Sequence, residues 1–258
     1  PTDPGAEALR AAAEEAEDAA RAISGVSNSD GASASAGFSV FALATSHGFA
    51  GGYHGSSHSI SASVVAGEGA DKQRDAAWRQ TRYRSDLLHA AEIGREASER
   101  AVARLNPSKM RSGTMPVIFD PRVSNSIIGH LIGAMSGSSI ARRSSFLLDK
   151  LDEQLVDPSI LIVDNPHLAR GMRSRAFDGE GLPTQPRNLV ENGRITGWLM
   201  DSASARQLGQ APTGHAARGG AGAPGVSVGN VHLAPGTVSR DALIADITEG
   251  VLITELIG

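Results

Sequence analysis

The sequence predicts an α+β fold in which antiparallel sheets pack against helices, and three patterns support that class. Two segments, 4–23 and 86–105, repeat apolar residues at every third or fourth position, which is the helical period. Between them, a segment rich in serine and glycine alternates apolar and polar residues, as strands with one solvated face do. Further on, Asn192-Gly193 separates two strand-like runs, which is a strong local signal for a β-hairpin.

Composition narrows the classes of function. The 258 residues are 40% hydrophobic and 20% charged with a formal net charge of -4, which is typical of a globular protein without a basic footprint for nucleic acid or anionic lipid. No apolar run approaches the roughly 20 residues that a membrane span requires. The chain has no cysteine, which excludes disulfides, thiolate metal ligands and a thiol nucleophile within it. We expect a cytoplasmic protein without direct nucleic-acid or membrane partners.

The first predicted domain spans residues 1–108. It begins with the helix over 4–23 and continues as three antiparallel strands, with turns expected at 46–48 and 55–57 because glycine accepts positive φ without steric cost. The helix over 86–105 completes the domain. The following "NPSKMRSG" marks the boundary, since proline cannot continue the helical hydrogen bonds.

The second predicted domain spans residues 109–258. A buried strand is expected in "MPVIFD", and Asp120 and Pro121 then suit the N-cap and first turn of a helix. "ILIVDNP" predicts another short strand. The end of the chain, "VSVGNVHLAPG" followed by "DALIADITEGVLITEL", is typical of a strand, a helix and a strand. The residues expected to be buried around the Asn-Gly hairpin are Leu189, Ile195 and Leu199.

A lone histidine, His130, lies on the helix of the second domain. A zinc peptidase helix carries two histidines on neighbouring turns and a glutamate beside the first, so that the metal and the base for its water lie together. The residues around His130, from Gly129 to Ala134, offer no ligating side chain. We interpret His130 as a hydrogen-bonded core residue rather than a metal ligand.

Three further histidines lie in the predicted strands. His54 and His58 are four residues apart and would lie on one side of a straight strand, and His47 lies at the first turn. None has an adjacent acid. We therefore interpret all three as exposed residues of the hairpins and not as a metal site.

The stretch "FDGEGLPTQ" alternates two carboxylates with glycines. Asp178 and Glu180 could present acids, or the backbone around them, to a ligand. The same residues suit a tight turn that leads into the hairpin, and spacing alone favours that interpretation.

The stretch "FDGEGLPTQPRNLVENGRITGWLMDSASARQLGQAPTGHAAR" resembles the signature of the TldD/PmbA family, and specifically its PmbA (TldE) branch, once described as modulators of DNA gyrase. Upstream, "GFAGGYHGSSHSISASVVAGEGADKQRD", "IGREASERAVARL" and "ARRSSFLLDKLDEQL" extend the resemblance over nearly the whole chain. It implies an α+β structure made of two segments of a TldD/PmbA-like fold. Since the chain opens on Pro1 and family members are longer at both ends, we expect missing termini.

The resemblance also bears on the lone histidine. It implies that the TldD partner is a zinc peptidase with H-E-x-x-x-H on a helix and a cysteine as third ligand. It places that motif on "GHLIGA", with Gly129 at the first histidine, His130 at the glutamate and Ala134 at the second histidine. Two ligands and the general base are therefore missing. The resemblance implies no catalytic residue and no metal in this chain, with zinc in the partner.

The implied role is that of a non-catalytic PmbA/TldE-like subunit. It would pair with a TldD-like metallopeptidase and help to enclose a chamber for unfolded or modified peptides, in leader-peptide removal, peptide maturation and proteolysis. Whether the chain forms a homodimer in the absence of the partner is left open by the sequence. The candidates for peptide or interface contacts are Asp178, Gly179, Glu180, Gly181, Ser204, Arg206 and Gly214.

Two alternatives to this role remain open. One is a stand-alone metallohydrolase that uses His130 with distant ligands. The other is a scaffold that modulates a partner such as DNA gyrase, as the older family name suggests. The lack of a basic patch disfavours direct contact with DNA.

Overall fold

The computed structural model describes residues 3–219 and 222–256. These residues divide into two compact units that are not contiguous in sequence. The first unit contains the described residues up to 42, together with 52–111 and 170–172, and the second contains 43–51, 112–169 and the described residues from 173 onward. The tip of one hairpin, 43–51, therefore belongs with residues from the second half of the chain.

The described residues of the first unit form two α-helices and a three-stranded sheet with the strand order β1-β2-β3. The elements are α1 (Ala6–Arg21), β1 (Val26–Ala44), β2 (Ala50–Ala66), β3 (Gln73–Thr81) and α2 (Ala90–Ala103). Cross-strand hydroxyl contacts, Ser33 to Ser61 and Ser35 to Ser59, both 2.8 Å, show that β1 and β2 run antiparallel. β3 is also antiparallel to β2.

Alternation along β2 places apolar side chains on one face of the sheet. Ile60, Ala62 and Val64 are buried there, while the serines between them remain partly exposed on the other face. The helices cover the apolar face. The helical residues buried in the same cluster are Ala16, Ala20, Ala90, Ile93, Ala97 and Ala101.

Small residues allow α1 and α2 to approach closely. Gly94 of α2 lies against Ala16, and a Cβ atom at Gly94 would overlap the Ala16 carbonyl oxygen. The buried Ser98 hydroxyl lies 2.9 Å from the carbonyl oxygen of Ala20 and 3.0 Å from that of Gly94. The thin alanine stripe of α1 is thus a surface for backbone contact between helices.

The predicted turn at 46–48 is confirmed, but the one at 55–57 is wrong. β2 continues through residues 55–57, and the chain reverses later, where Gly67 and Gly69 adopt φ of 81° and 59°. Residues 73–81, which carry no strong strand pattern, supply the third strand. The apolar-polar alternation of β2 runs across Gly55, so a glycine alone did not mark a turn.

Burial of the strand histidines differs from the prediction at one position. His47 and His54 are exposed, as expected. His58 is buried, because it lies on the helix-covered side of the central strand.

The helix predicted over 86–105 is present but begins at Ala90, after a short 3-10 turn at Arg84–Asp86.

The described residues of the second unit form four helices and several short strands. The helices are α3 (Pro121–Ala134), α4 (Gly137–Ala141), α5 (Ser202–Leu208) and α6 (Arg240–Ala245). The strands are β4 (Val117–Phe119), β5 (Ile162–Asp164), β6 (Arg187–Glu191), β7 (Arg194–Ile195), β8 (Ala216–Ala217), β9 (Gly225–Val226), β10 (Val231–Leu233) and β11 (Val251–Ile253). The sheet β10-β5-β6-β7 is antiparallel, β8 pairs antiparallel with β9, and β4 pairs in parallel with β11.

The Asn-Gly hairpin is confirmed. Asn192 and Gly193 adopt φ of 50° and 70° and form a two-residue loop between β6 and β7. Leu189, Ile195 and Leu199 are each no more than 1% exposed. Together with Met135, Leu147 and other apolar side chains, they form the core of this unit.

The predicted strand, helix and strand near the end of the chain are β10, α6 and β11. The α+β class, with mainly antiparallel sheets, is confirmed.

The helix α3 begins as predicted. The Asp120 side chain accepts a hydrogen bond from the Arg122 N–H at 2.9 Å, and Pro121 occupies the first turn. The sequence predicts that the strand before it, β4, is buried, and this prediction is wrong. Val117 and Phe119 remain 47% and 37% exposed, because β4 has only β11 beside it in a two-stranded sheet.

The interpretation of His130 as a core residue is wrong. His130 is exposed on α3, and its imidazole makes no hydrogen bond to the described part of the chain. Val123 is the residue of α3 that becomes buried, and even Ile127 stays 45% exposed. Ile128, Leu131, Ile132 and Ala134 of the same helix are partly buried against the core of this unit, while His130 lies outside that contact. None of the described helices combines the length and the apolar character needed to cross a membrane.

We expect Gly94→Ala to destabilise the protein, although the helix propensity of alanine is more favourable than that of glycine by up to about 1 kcal/mol. The added methyl group would overlap the Ala16 carbonyl, so α1 and α2 would have to separate, and overpacking of this kind costs about 1–3 kcal/mol. Thermal unfolding followed by circular dichroism should show a lower midpoint. Arg95→Ala, at an exposed position of the same helix, is the control. A midpoint for Gly94→Ala equal to that of the control would contradict the close helix contact.

We expect Gly193→Val to destabilise the second unit by more than about 1 kcal/mol. A valine at φ 70° is strained, and its Cβ would also overlap the Val156 carbonyl oxygen. The measurement is the denaturant midpoint of unfolding. Asn192→Gly, in the same turn but exposed and at a φ that glycine accepts, should stay close to the parent protein. Similar losses in both variants would show that the turn geometry is not the cause.

Candidate functional site

Residues 177–183, which we name the signature loop, form a closed turn. A β-bridge joins Phe177 to Pro183, and the Asp178 N–H donates to the Leu182 carbonyl at 2.8 Å. Gly181 adopts a φ of 86°, which side-chain-bearing residues rarely take. The turn favoured for "FDGEGLPTQ" is therefore present.

The Asp178 carboxylate lies inside this loop and is 1% exposed. One oxygen, Oδ1, accepts the N–H groups of Glu180 at 2.9 Å and Leu182 at 3.0 Å. The other, Oδ2, accepts the Ala216 N–H at 3.0 Å. Because three backbone donors surround it and solvent does not reach it, Asp178 fixes the loop to β8 and is not available to contact a ligand directly.

Gly179 makes the second connection to β8. Its N–H donates to the Ala216 carbonyl at 2.7 Å, and a Cβ at this position would lie 3.1 Å from the same oxygen. The Gly179 carbonyl in turn accepts the Nε–H of Arg218 at 2.8 Å. The loop thus places Arg218 while leaving its two terminal amino groups for other partners.

Glu180 joins the loop to α5. Its Oε2 accepts both the N–H of Ser202 at 2.9 Å and the Ser202 hydroxyl at 2.6 Å. Asp201 caps the same helix by accepting the Ser204 N–H at 2.8 Å. Since Ser202 and Arg206 are four residues apart, they lie on one face of α5. Arg206 is therefore presented on the side of the helix that Glu180 contacts.

The hairpin tip, residues 43–51, packs on the signature loop. The tip is a tight turn in which the Thr45 N–H donates to the Phe49 carbonyl at 2.9 Å. The Phe49 ring meets Phe177 edge to face, with 4.8 Å between ring centroids. This approach requires Gly181, because a Cβ there would lie 2.7 Å from the Phe49 ring.

The signature loop, α5 and the hairpin tip surround a pocket of about 820 Å³, which lies within the second unit. That volume is in the range of small-ligand sites. Its side chains are of two kinds. The apolar ones are Leu43, Phe49 and Leu182, and the polar ones include Thr45, His47, Glu180, Ser202, Arg206 and Arg218.

Several charged groups of the pocket keep unused hydrogen-bonding capacity. The Arg206 guanidinium is exposed and makes no hydrogen bond or ion pair with residues 3–219 or 222–256. Arg218 uses its Nε–H, and Glu180 uses one of its two carboxylate oxygens. A ligand in the pocket can therefore meet guanidinium donors and a carboxylate acceptor without displacing a contact within the protein.

The other sequence candidates support the pocket. Ser204 is 3% exposed and is held by Asp201, so it stabilises the first turn of α5. Gly214 is buried at φ 72°, and a Cβ there would lie 2.8 Å from the Pro183 carbonyl oxygen. Neither lines the pocket. Of the seven candidates, those that line it are Glu180, Gly181 and Arg206.

Sequence reasoning missed the hairpin tip as part of the site. Leu43, His47 and Phe49 are far from the signature loop in sequence, and no spacing rule connects them to it. The nearest available signal was an aromatic residue directly after a glycine turn in "SHGF", which is unusual for a solvated hairpin end. Ser202 and Arg218 lie within the signature, but their residue types and spacing do not mark them as pocket residues.

A second polar cluster is buried in the same unit. His215 Nε2 lies 3.3 Å from Asp164 Oδ2, and His215 Nδ1 lies 2.8 Å from the Thr213 hydroxyl. The order of hydroxyl, imidazole and carboxylate resembles a hydrolase triad. However, the Thr213 hydroxyl already contacts the backbone N–H and carbonyl of Met200, and the imidazole and carboxylate side chains are no more than 5% exposed. This cluster holds neighbouring segments together and does not offer a nucleophile.

The helix positions that the resemblance assigns to a zinc motif lie on α3. Gly129 and His130 are exposed there, and Ala134 is partly buried. One imidazole without a neighbouring carboxylate or second histidine does not fit a zinc site. Within residues 3–219 and 222–256, no three histidine, aspartate or glutamate side chains converge as a metal-binding group would require.

Comparison with known proteins finds matches over nearly the whole chain. Residues 1–105 match the model for the PmbA/TldA metallopeptidase central domain, and residues 112–258 match the model for the PmbA/TldA metallopeptidase C-terminal domain. Metalloprotease PmbA of Escherichia coli O157:H7 is 36% identical over 252 residues, which are 98% of this chain and 54% of that protein. The chain therefore spans about half the length of this relative.

Solved structures give the same result. A candidate modulator of DNA gyrase from Thermotoga maritima superposes with a TM-score of 0.90 at 26% identity, over 98% of this chain and 58% of that one. TldE from Thermococcus kodakarensis has the same fold, with a TM-score of 0.86 at 23% identity over 99% of this chain and 58% of that one. From both family models and the close relative, this chain belongs to the PmbA/TldD metallopeptidase family.

Proposed function

We propose that the chain is a non-catalytic, PmbA/TldE-like subunit of a TldD/TldE-type zinc metallopeptidase that acts on unfolded or modified peptides. This proposal is based on the residues that occupy α3 where the family resemblance places the zinc motif. Gly129 and Ala134 have no donor atoms in their side chains, and His130 replaces the general base. A zinc peptidase of the H-E-x-x-x-H type needs both histidine ligands and the glutamate base on this helix.

The proposed partner is a TldD-like chain that carries the complete motif and holds the zinc. The TldD homologue of Haemophilus influenzae, named a metalloprotease, is 26% identical over 202 residues, so partner and subunit would share one ancestry. We place no cofactor in this chain and expect the pair to work in the cytoplasm, in leader-peptide removal, peptide maturation or proteolysis.

A subunit without metal ligands can still contribute to peptide hydrolysis. It can shape the chamber, exclude folded substrates and hold part of the peptide so that the scissile bond reaches the partner's zinc. The pocket between the signature loop, α5 and the hairpin tip supports this role. It combines apolar walls with polar groups that have free hydrogen-bonding capacity, which suits a peptide segment.

We expect cleavage of a short unstructured peptide only when this chain is mixed with a TldD-like partner that carries H-E-x-x-x-H. In that mixture, His130→Ala should leave the rate within a few-fold of the parent, because loss of a true general base costs about 10²–10⁴-fold. The assay compares the separate subunits with the mixture, and a chelator should abolish the activity of the mixture.

The control for His130→Ala is an alanine substitution of the partner's motif glutamate, which should remove activity. Chelator-sensitive cleavage by this chain alone, lost in His130→Ala, would instead establish a stand-alone metallohydrolase. The proposal would then be wrong.

A further inference from the structure

We propose that the pocket binds the free C-terminal carboxylate of an extended peptide, and that Arg206 and Arg218 receive it. This inference rests on the proposed function, because it names the part of the peptide that this subunit holds. In addition to its structural role, the subunit would then recognise which end of the peptide enters the pocket. The peptide would be anchored by its C-terminal end, with the rest of the chain leaving the pocket.

The two arginines are the first line of evidence. Both line one pocket, and each is placed by an anchored backbone: α5, capped by Asp201, carries Arg206, and the Gly179 carbonyl orients Arg218 at 2.8 Å. The Arg206 guanidinium has no partner among the described residues. Planar guanidinium groups match a carboxylate with two parallel hydrogen bonds, which makes a carboxylate a suitable occupant.

Glu180 limits which anion the pocket can take. Its carboxylate stands in the same pocket, so a dianionic phosphate group would be repelled. Ser202 occupies its Oε2, and no hydrogen bond within the described residues uses Oε1. A C-terminal residue offers a carboxylate and a backbone N–H on either side of one Cα atom. The arginines can take the first and Glu180 Oε1 the second.

The apolar wall of the pocket can accept the last side chain of the peptide. Leu43, Phe49 and Leu182 line the pocket together with the charged groups, so the last side chain of the peptide can be apolar. The Phe49 ring is fixed by its edge contact with Phe177, which makes the wall preformed. The contacts available to a peptide end, namely carboxylate, N–H and apolar side chain, therefore all have counterparts here.

Calorimetry on the 258-residue chain alone tests the proposal. The probe is the acetylated peptide Ser-Gly-Ser-Ala-Leu with a free C-terminal carboxylate, compared with the same peptide ending in an amide. We expect the amide to bind about ten-fold more weakly or worse, since hydrogen bonds to charged groups are worth more than neutral ones. Arg206→Gln should reduce the affinity for the free acid to the level of the amide. Arg142→Gln, at an exposed position of the same unit outside the pocket, should not.

A third peptide distinguishes a terminal carboxylate from an acidic side chain. It is the amidated peptide with glutamate in place of leucine. Equal affinities for the free acid and the plain amide, no binding of either peptide, or binding of the glutamate amide as tight as that of the free acid would each overturn the proposal. Because the partner is absent from this experiment, its outcome is separate from that of the cleavage assay.

Discussion

The Asp178 carboxylate is the constraint on which the proposed site depends. It is shielded from solvent and has no cationic partner in the described residues, so its burial is tolerable only while the N–H groups of Glu180, Leu182 and Ala216 point at it. Those donors belong to two segments, the signature loop and β8. Satisfying one buried charge therefore fixes both segments, and with them the positions of Glu180 and Arg218 on the wall of the pocket.

The hairpin tip adds the remaining wall because the signature loop lacks a side chain at Gly181. The Phe49 ring occupies that space and contacts Phe177, which places the apolar wall of the pocket opposite its charged one. On α3, in contrast, Gly129 and Ala134 have no donor atoms in their side chains at the positions where the resemblance would place the zinc motif. The chain thus has an organised pocket, whereas α3 presents a single exposed imidazole, and this contrast supports the proposed division of work between two subunits.

Local features were predictable from sequence because their causes are local. The Asn192-Gly193 turn, the Asp120 cap and the alanine stripe of α1 each follow from the chemistry of a few neighbouring residues. The predictions of turn position and burial were wrong where contacts between distant segments determine the structure. β2 continues through Gly55, and His130 remains exposed despite its apolar helix. The signature identified Glu180 and Arg206, but no local rule could bring the hairpin tip to them.

The most direct test of this account is Asp178→Asn, measured by the free energy of unfolding and by binding of the free-acid peptide. An asparagine keeps the shape but turns an NH₂ group toward one of the N–H donors, and an unsatisfied buried group costs about 1–3 kcal/mol. Asp157→Asn, which alters an exposed aspartate that also accepts a backbone N–H, should leave the free energy of unfolding close to that of the parent protein. We predict that Asp178→Asn lowers both stability and peptide affinity. Parent-like stability together with parent-like binding would contradict the claim that this carboxylate holds the pocket in place.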